Sequence, residues 1–141
     1  MTSPRAQIDP RGPRFAAVLT TLVLALVLVT GSGWLLAAQA IVFALGVVGR
    51  SPYGLLFRVA VRPRLDPPAE LEDAGPPTFA QCVGLVFAVA GVIGFLAEIS
   101  PLALGATALA LLAAFLNAAF GLCLGCEMYL FIRRLMPAAT R

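Results

Sequence analysis

Long apolar runs are the feature that most constrains how this 141-residue chain folds. The first run, residues 15–30, contains no charged residue, and a second run follows directly after Gly31-Ser32-Gly33. A segment of about 20 apolar residues crosses the hydrocarbon core of a bilayer as a helix. The chain is 60% hydrophobic and 12% charged, whereas a soluble domain carries about 25% charged residues. The sequence therefore predicts an all-α integral membrane protein.

Four membrane-crossing helices are predicted, arranged as two hairpins on either side of a polar loop. The loop is rich in proline, and its first part mixes apolar residues with Arg58 and Arg62, which favours a short amphipathic helix on the membrane surface. The predicted segments are an N-terminal segment over 1–14, a transmembrane hairpin over 15–49, the loop over 50–77, a second transmembrane hairpin over 78–132 and a tail over 133–141.

The last apolar run, residues 102–132, is too long for one straight crossing. As a straight helix it would extend about 46 Å, whereas the hydrocarbon core is about 30 Å thick. Gly121 and Gly125 are the expected places for a bend, after which the chain could follow the interface. Together with Ala114 and Ala118, these glycines predict a stripe of small residues that packs on a neighbouring helix, with the cysteines on the opposite face.

The orientation follows from the arginines. All ten basic residues are arginine, and they lie before the first run, in the central loop and after the last run, while the two short hairpin connections contain none. The positive-inside rule places both termini and the loop in the cytoplasm. A cleaved signal peptide is the competing interpretation of the first run. It is disfavoured because no A-x-A site lies directly after the first run and the second run begins at once.

Cys123 and Cys126 form a C-L-G-C pair near the predicted cytoplasmic end of the last run. Positions three apart share one face of a helix, and Glu127 joins that face. Such a dithiol can cycle to a disulfide, bind a soft metal or carry persulfide sulfur. The alternative is that both cysteines are small buried hydrophobes, with Glu127 an interfacial carboxylate paired with Arg133 or Arg134.

The remaining polar residues of the apolar runs favour structural roles. Cys82, a possible third thiol near the start of the third predicted helix, is more consistent with packing. Gln39 and Asn117 are intramembrane polar residues expected to make interhelical hydrogen bonds. The chain has no histidine, which excludes Ser-His and Cys-His nucleophiles and His-ligated haem or zinc. We expect no cofactor or metal, and the basic charge favours anionic lipid rather than nucleic acid.

Three segments carry a family resemblance: I-D-P-R-G-P-R-F over 8–15, R-P-R-L-x-P-P-x-E-L-E-D over 62–73, and A-A-F-L-N-A-A-F-G-L-C-L-G-C-E-M-Y-L over 113–130, which contains F-G-x-C-x-G-C-E-x-Y. They resemble an uncharacterised family of small bacterial four-helix integral membrane proteins, a domain of unknown function. Its signature is matched by the residues Asn117, Cys123, Cys126 and Glu127, and not clearly by Cys82. The resemblance implies an association with thioredoxin-like and rhodanese-type sulfurtransferase proteins.

Three functions are compatible with these features. The first is thiol-redox or sulfur handling, in which Cys123 and Cys126 exchange electrons or sulfur with a cytoplasmic thioredoxin-like or rhodanese-type protein. The second is a homo-oligomeric permease or channel component that passes a small, sulfur-containing solute along Gln39, Asn117 and Glu127. The third is a non-catalytic membrane scaffold. The sequence does not decide whether the protein is an enzyme.

Overall fold

The computed structural model describes residues 7–136 and consists of helices with one small two-stranded sheet. Arg5 and Arg141, which contributed to the predicted orientation, lie outside the described residues. The elements are β1 (Gln7–Ile8), α1 (Arg11–Thr30), α2 (Gly33–Val47), α3 (Pro52–Leu56, continued by a π-helical turn Phe57–Val61 and a 3₁₀ turn Arg62–Arg64), β2 (Glu72–Asp73), α4 (Gly75–Leu96), α5 (Ser100–Phe120) and α6 (Leu124–Leu135).

Three of these helices, α1, α4 and α5, are long and apolar enough to cross a membrane. A fourth crossing is complete only if α2 is joined to the helical segment Pro52–Arg64, with a bend of 75° between them. The all-α class is therefore confirmed, and the described residues provide three spans, or four if the bent pair counts as one.

Two spans begin earlier in the chain than predicted. The first starts at Arg11 rather than residue 15, because Asp9 accepts a hydrogen bond from the Arg11 backbone N–H at 3.0 Å and so satisfies a free donor of the first turn. The third predicted span starts at Gly75 rather than residue 78. Pro76 and Pro77 occupy its first turn, where a missing N–H costs no helical hydrogen bond.

The apolar run over 102–132 is divided into α5 and α6 at Gly121, one of the two predicted places for a bend. Gly121 ends α5 in the left-handed conformation (φ 69°), and its N–H bonds back to the Asn117 carbonyl at 3.0 Å. Glycine adopts this conformation without steric cost, so it is the preferred residue after the last turn of a helix. Gly125, by contrast, lies inside α6 and produces no bend.

The helices of the first hairpin pack mainly on helices of the second hairpin, and the two helices of the second hairpin also pack on each other. α1 lies against α5, α2 against α4, and α4 against both α5 and α6. The closest approach joins α4 to α5, where a Cβ added to Gly94 would overlap the backbone nitrogen of Ala103. The core is apolar and consists of Leu24, Val27, Leu36, Phe43, Ala88 and Ala110.

The predicted stripe of small residues is not formed. A Cβ added to Gly121 would meet no packing partner within 4 Å, whereas Gly125 belongs to a different helix and contacts Ala80. The break after Phe120 places Gly125 in a different helix from Ala114 and Ala118, so the four positions do not form one stripe along a single helix. The close helix packing depends instead on glycines of α4, where a Cβ on Gly91 would come within 2.6 Å of Leu36.

Residues near the N-terminus, the central loop and the last helix meet at one end of the bundle. β1 pairs antiparallel with β2, with Gln7 opposite Asp73. Arg11 forms an ion pair with Asp9 at 2.8 Å and donates to the Asp66 carbonyl at 2.9 Å. The hydrogen bond from Arg11 lowers the pKa of the Asp9 carboxyl below its usual value. Arg11 therefore ties the start of α1 to the central loop.

Candidate functional site

Cys123 and Cys126 form a disulfide at the start of α6, with their Cα atoms 5.1 Å apart. The expectation that both lie on the face of one continuous helix is wrong. Cys123 precedes α6 as its N-cap residue, with an extended backbone (φ −89°, ψ 102°), whereas Cys126 lies in the first helical turn. The Cys126 N–H donates a hydrogen bond to the Cys123 Sγ at 3.2 Å.

This position has a chemical consequence for the reduced pair. The first N–H groups of a helix have no partner within the helix and carry partial positive charge. Cysteine at a helix N-terminus, in a C-x-x-C motif, is therefore favoured as the reactive thiolate. Both cysteines are partly exposed, so the site combines a stabilised sulfur with access from outside. The arrangement can support reversible thiol–disulfide chemistry.

Glu127 is exposed in the first turn of α6. A carboxylate is stabilised there by the partial positive charge of the helix N-terminus. Within residues 7–136, Glu127 forms no ion pair with Arg133 or Arg134, and Arg133 instead donates from Nη1 to the Tyr129 hydroxyl at 3.0 Å. The described contacts therefore give Glu127 neither a direct bond to the sulfurs nor the predicted arginine partner.

The start of α6 is fixed against α4 by close contacts. A Cβ on Gly125 would lie 2.6 Å from the Ala80 Cα, so only glycine lets the two backbones approach this closely. One turn further along, the rings of Tyr129 and Phe79 pack with centroids 5.8 Å apart. These contacts hold the disulfide at the end of the bundle where α4 begins.

Arg14 contributes a contact that the sequence did not indicate. Its guanidinium donates to the carbonyls of Ala118 at 3.2 Å and Ala119 at 3.3 Å. These carbonyls belong to the last turn of α5, where backbone acceptors lack helical partners and a cation is favoured. Arg14 therefore ties α1 to the end of α5, next to the turn that leads into Cys123.

A partly enclosed cavity of about 290 Å³ adjoins the disulfide. It lies among α1, α4, α5 and α6, and its described lining includes Cys123 but neither Cys82 nor Cys126. None of the described lining residues carries a charge. The polar side chains on its wall are Thr20, Gln81 and Asn117. Cys123 therefore lines an apolar space within the bundle.

A second cavity, of about 440 Å³, meets the first at the arginine-rich end of the bundle. Its wall carries charged groups, including Asp9, Arg58 and Arg62. The two cavities share wall residues, so a polar space lies next to the apolar one. The shared residues are Pro13, Ala16, Pro77 and Gln81.

The other predicted polar positions lie apart from the disulfide. Gln39 is 1% exposed, accepts a hydrogen bond from the Tyr53 hydroxyl at 2.7 Å and donates to Thr20 Oγ1 at 3.4 Å. It therefore joins α1, α2 and α3. Cys82 is a half-buried free thiol of α4. Within residues 7–136, no group of three or more His, Cys, Asp or Glu is placed to hold a metal ion.

Comparison with known families matches residues 8–134 to the family described as Domain of unknown function (DUF4395). The match covers most of the chain and confirms the family resemblance seen in its sequence segments. No curated protein and no solved structure matches the chain.

Proposed function

We propose that this chain, which belongs to the DUF4395 family of domains of unknown function, is a membrane thiol–disulfide exchange protein. In this proposal the Cys123–Cys126 pair lies at the cytoplasmic face of a bacterial inner membrane. It exchanges electrons or sulfur with a cytoplasmic thioredoxin-like or rhodanese-type protein. The observation that carries the proposal is the partly exposed disulfide at the N-terminus of α6.

Two features of the site support exchange over a structural role. α6 is shorter than the apolar spans, and the helix before it ends at Phe120, so the disulfide lies outside the three long spans. Disulfides in the cytoplasm are usually transient and serve catalysis or redox sensing, because cytoplasmic thiols are kept reduced. A disulfide that is accessible on that side therefore favours a reversible role.

The exchange begins with attack of a partner thiolate on the Cys126 sulfur. The S–S bond breaks, a mixed disulfide forms, and Cys123 leaves as a thiolate stabilised by the Cys126 N–H and the start of α6. A second thiolate of the partner protein then attacks the partner sulfur that is bonded to Cys126, and this S–S bond breaks. The partner leaves as a disulfide, and Cys123 and Cys126 hold the two electrons as a dithiol.

Thiol counting in membranes tests this proposal. Inside-out vesicles are treated with a membrane-impermeant maleimide mass tag, before and after incubation with reduced thioredoxin. We expect two additional tags after incubation, in both the wild type and the control variant Cys82→Ser. In Cys126→Ser, incubation adds no tag. Tags on Cys123 and Cys126 without any reduction, or none after reduction, would contradict the proposal.

A second candidate, an oligomeric permease or channel component for a small sulfur-containing solute, is supported by the second cavity, whose wall carries charged groups. Of the three residues predicted to line such a path, Asn117 is in the described cavity wall, whereas Gln39 and Glu127 are in neither wall. Uptake of thiosulfate or sulfide into liposomes that contain the protein, compared with empty liposomes, distinguishes this candidate. Uptake that persists in a Cys123→Ser variant would favour transport over exchange.

A further inference from the structure

We propose that the cavity beside Cys123 binds the ring of a lipid-soluble quinone, which reoxidises the cysteine pair. This inference rests on the proposed thiol–disulfide exchange and names the molecule that takes the electrons away. Cys123 lines the cavity, and both cysteines are partly exposed. In this proposal a membrane-dissolved molecule reacts at Cys123 from the cavity, while a soluble protein reacts at Cys126.

The cavity wall selects against charged ligands. Its described residues carry no charge, and most are alanine, leucine or other apolar residues of α1, α4 and α5. Transfer of an ion into such a space without a partner is costly, which disfavours thiosulfate or glutathione. These three helices are long and apolar enough to cross a membrane. The wall therefore fits a neutral molecule that is dissolved in lipid.

Two side-chain amides on the wall match the polar atoms of a quinone. Asn117 and Gln81 line the cavity, and among residues 7–136 neither side chain makes a hydrogen bond. Each amide NH₂ group can donate to a carbonyl oxygen. A quinone ring presents two carbonyl oxygens on an otherwise apolar body. Ligand sites typically combine an apolar wall with a few such donors, and a volume of about 290 Å³ suits a single ring rather than a whole isoprenoid chain.

The reaction balances without a further cofactor. The two S–H bonds of Cys123 and Cys126 break, the S–S bond forms, and the quinone receives two electrons and two protons to become a quinol. Quinones serve as terminal acceptors in other thiol-oxidising membrane systems. When this step is coupled to exchange at Cys126, the net reaction oxidises a partner dithiol to a disulfide and reduces one quinone to a quinol.

The first measurement uses the full-length protein in detergent micelles, reduced with dithiothreitol that is then removed. The short-chain analogue decylubiquinone is added, quinol formation is followed by ultraviolet absorbance, and thiols are counted with a maleimide mass tag. We expect the loss of two thiols for each quinol formed. Cys123→Ser should form no quinol.

Paired variants of α5 locate the reaction. Ala113→Leu places a larger side chain in the cavity wall, whereas Ala108 is exposed and absent from the described wall, so Ala108→Leu is its matched control. For each variant, the rate at which decylubiquinone oxidises the cysteine pair is divided by the rate at which oxidised thioredoxin does so. We expect this ratio to fall by at least about tenfold in Ala113→Leu and to stay at the wild-type value in Ala108→Leu.

The outcomes separate this inference from the proposed function. Exchange with thioredoxin but no quinol formation in the wild type would overturn the quinone site and leave the proposed function intact. Equal ratios in Ala113→Leu and wild type would show that quinone reacts outside the cavity. If Ala113→Leu does not fold, Asn117→Leu takes its place, and it should raise the decylubiquinone concentration at half-maximal rate. Absence of both reactions would overturn both proposals.

Discussion

Gln39 shows how single polar residues are accommodated in this apolar bundle. Its side chain is almost completely buried, and its amide oxygen and nitrogen bond to Tyr53 and Thr20. A buried polar group without a hydrogen-bond partner is costly. Removing either member of the Gln39–Tyr53 pair would therefore leave a polar group of the other member unpaired. Gln39 therefore acts as a structural link between helices, and the site chemistry involves other residues.

A double-mutant cycle on Gln39 and Tyr53 tests this role. Gln39→Leu should lower the free energy of unfolding by about 1 to 3 kcal/mol, because the Tyr53 hydroxyl loses its acceptor. Tyr53→Phe should also destabilise, since the Gln39 oxygen loses its donor. The double variant should be more stable than the sum of both changes predicts. Thermal unfolding in detergent, followed by circular dichroism, measures each value, and additive effects would contradict the link.

At the scale of elements, the division between α5 and α6 determines the site. A continuous helix would keep Cys123 in the middle of a helical turn, whereas the turn at Gly121 makes Cys123 the N-cap of a new helix. The local backbone therefore creates the helix N-terminus at which the sulfur pair lies. Residues without sulfur chemistry, above all Gly121, are as necessary to the site as the cysteines.

Two glycine-to-alanine variants, one within α5 and one at its C-terminal cap, should have opposite effects on the stability of the protein. Gly121→Ala forces a side chain into the left-handed conformation and should lower stability by about 1 kcal/mol. Gly105 lies within α5, and a Cβ there would meet no protein atom within 4 Å. Gly105→Ala should therefore raise stability by about 0.5 to 1 kcal/mol through helix propensity. The unfolding temperatures of both variants, measured under the same conditions, test the direction of each effect. A lower unfolding temperature in both variants would contradict the prediction.

The sequence predicts some elements well because their signals are local. Charged residues and prolines border the first and third apolar runs, and α1 and α4 begin within a few residues of the predicted positions. The break after α5 is marked in the sequence only by Gly121, one of the two predicted bends, because apolar Leu122 and Leu124 continue the run across it. The C-x-x-C motif likewise indicates the sulfur pair. The cavity and the Arg14 contact with Ala118, 104 positions away, depend on tertiary packing and leave no local pattern.

At the scale of the whole molecule, the two ends of the bundle differ in charge. One end holds the described arginines with β1, β2 and α6. At the other end, the turn before α2 meets the end of α4, and a Cβ on Gly33 would lie 3.1 Å from Phe95. Glu98 lies in the turn at that end, with a left-handed backbone (φ 58°). The positive-inside rule predicts that the arginine-rich end faces the cytoplasm.

Cysteine labelling tests this orientation directly. In a variant with the native cysteines replaced by serine, Arg64→Cys marks the arginine-rich end and Glu98→Cys marks the opposite end. An impermeant maleimide should label Arg64→Cys in inside-out vesicles and Glu98→Cys in intact spheroplasts. Detergent-solubilised samples, in which both should react, provide the control. Labelling of both positions from the same side would rule out the predicted topology.

The packing of each hairpin on the other has a consequence for biosynthesis. α1 and α2 leave the ribosome before α4 and α5, which supply most of their contacts. During that interval Leu24, Val27 and Leu36 must face lipid tails. Lipid is as apolar as leucine, so the exposure costs little, and later assembly is driven by close packing rather than by escape from water. The glycines of α4 therefore decide whether the newly inserted halves of the chain join into one protein.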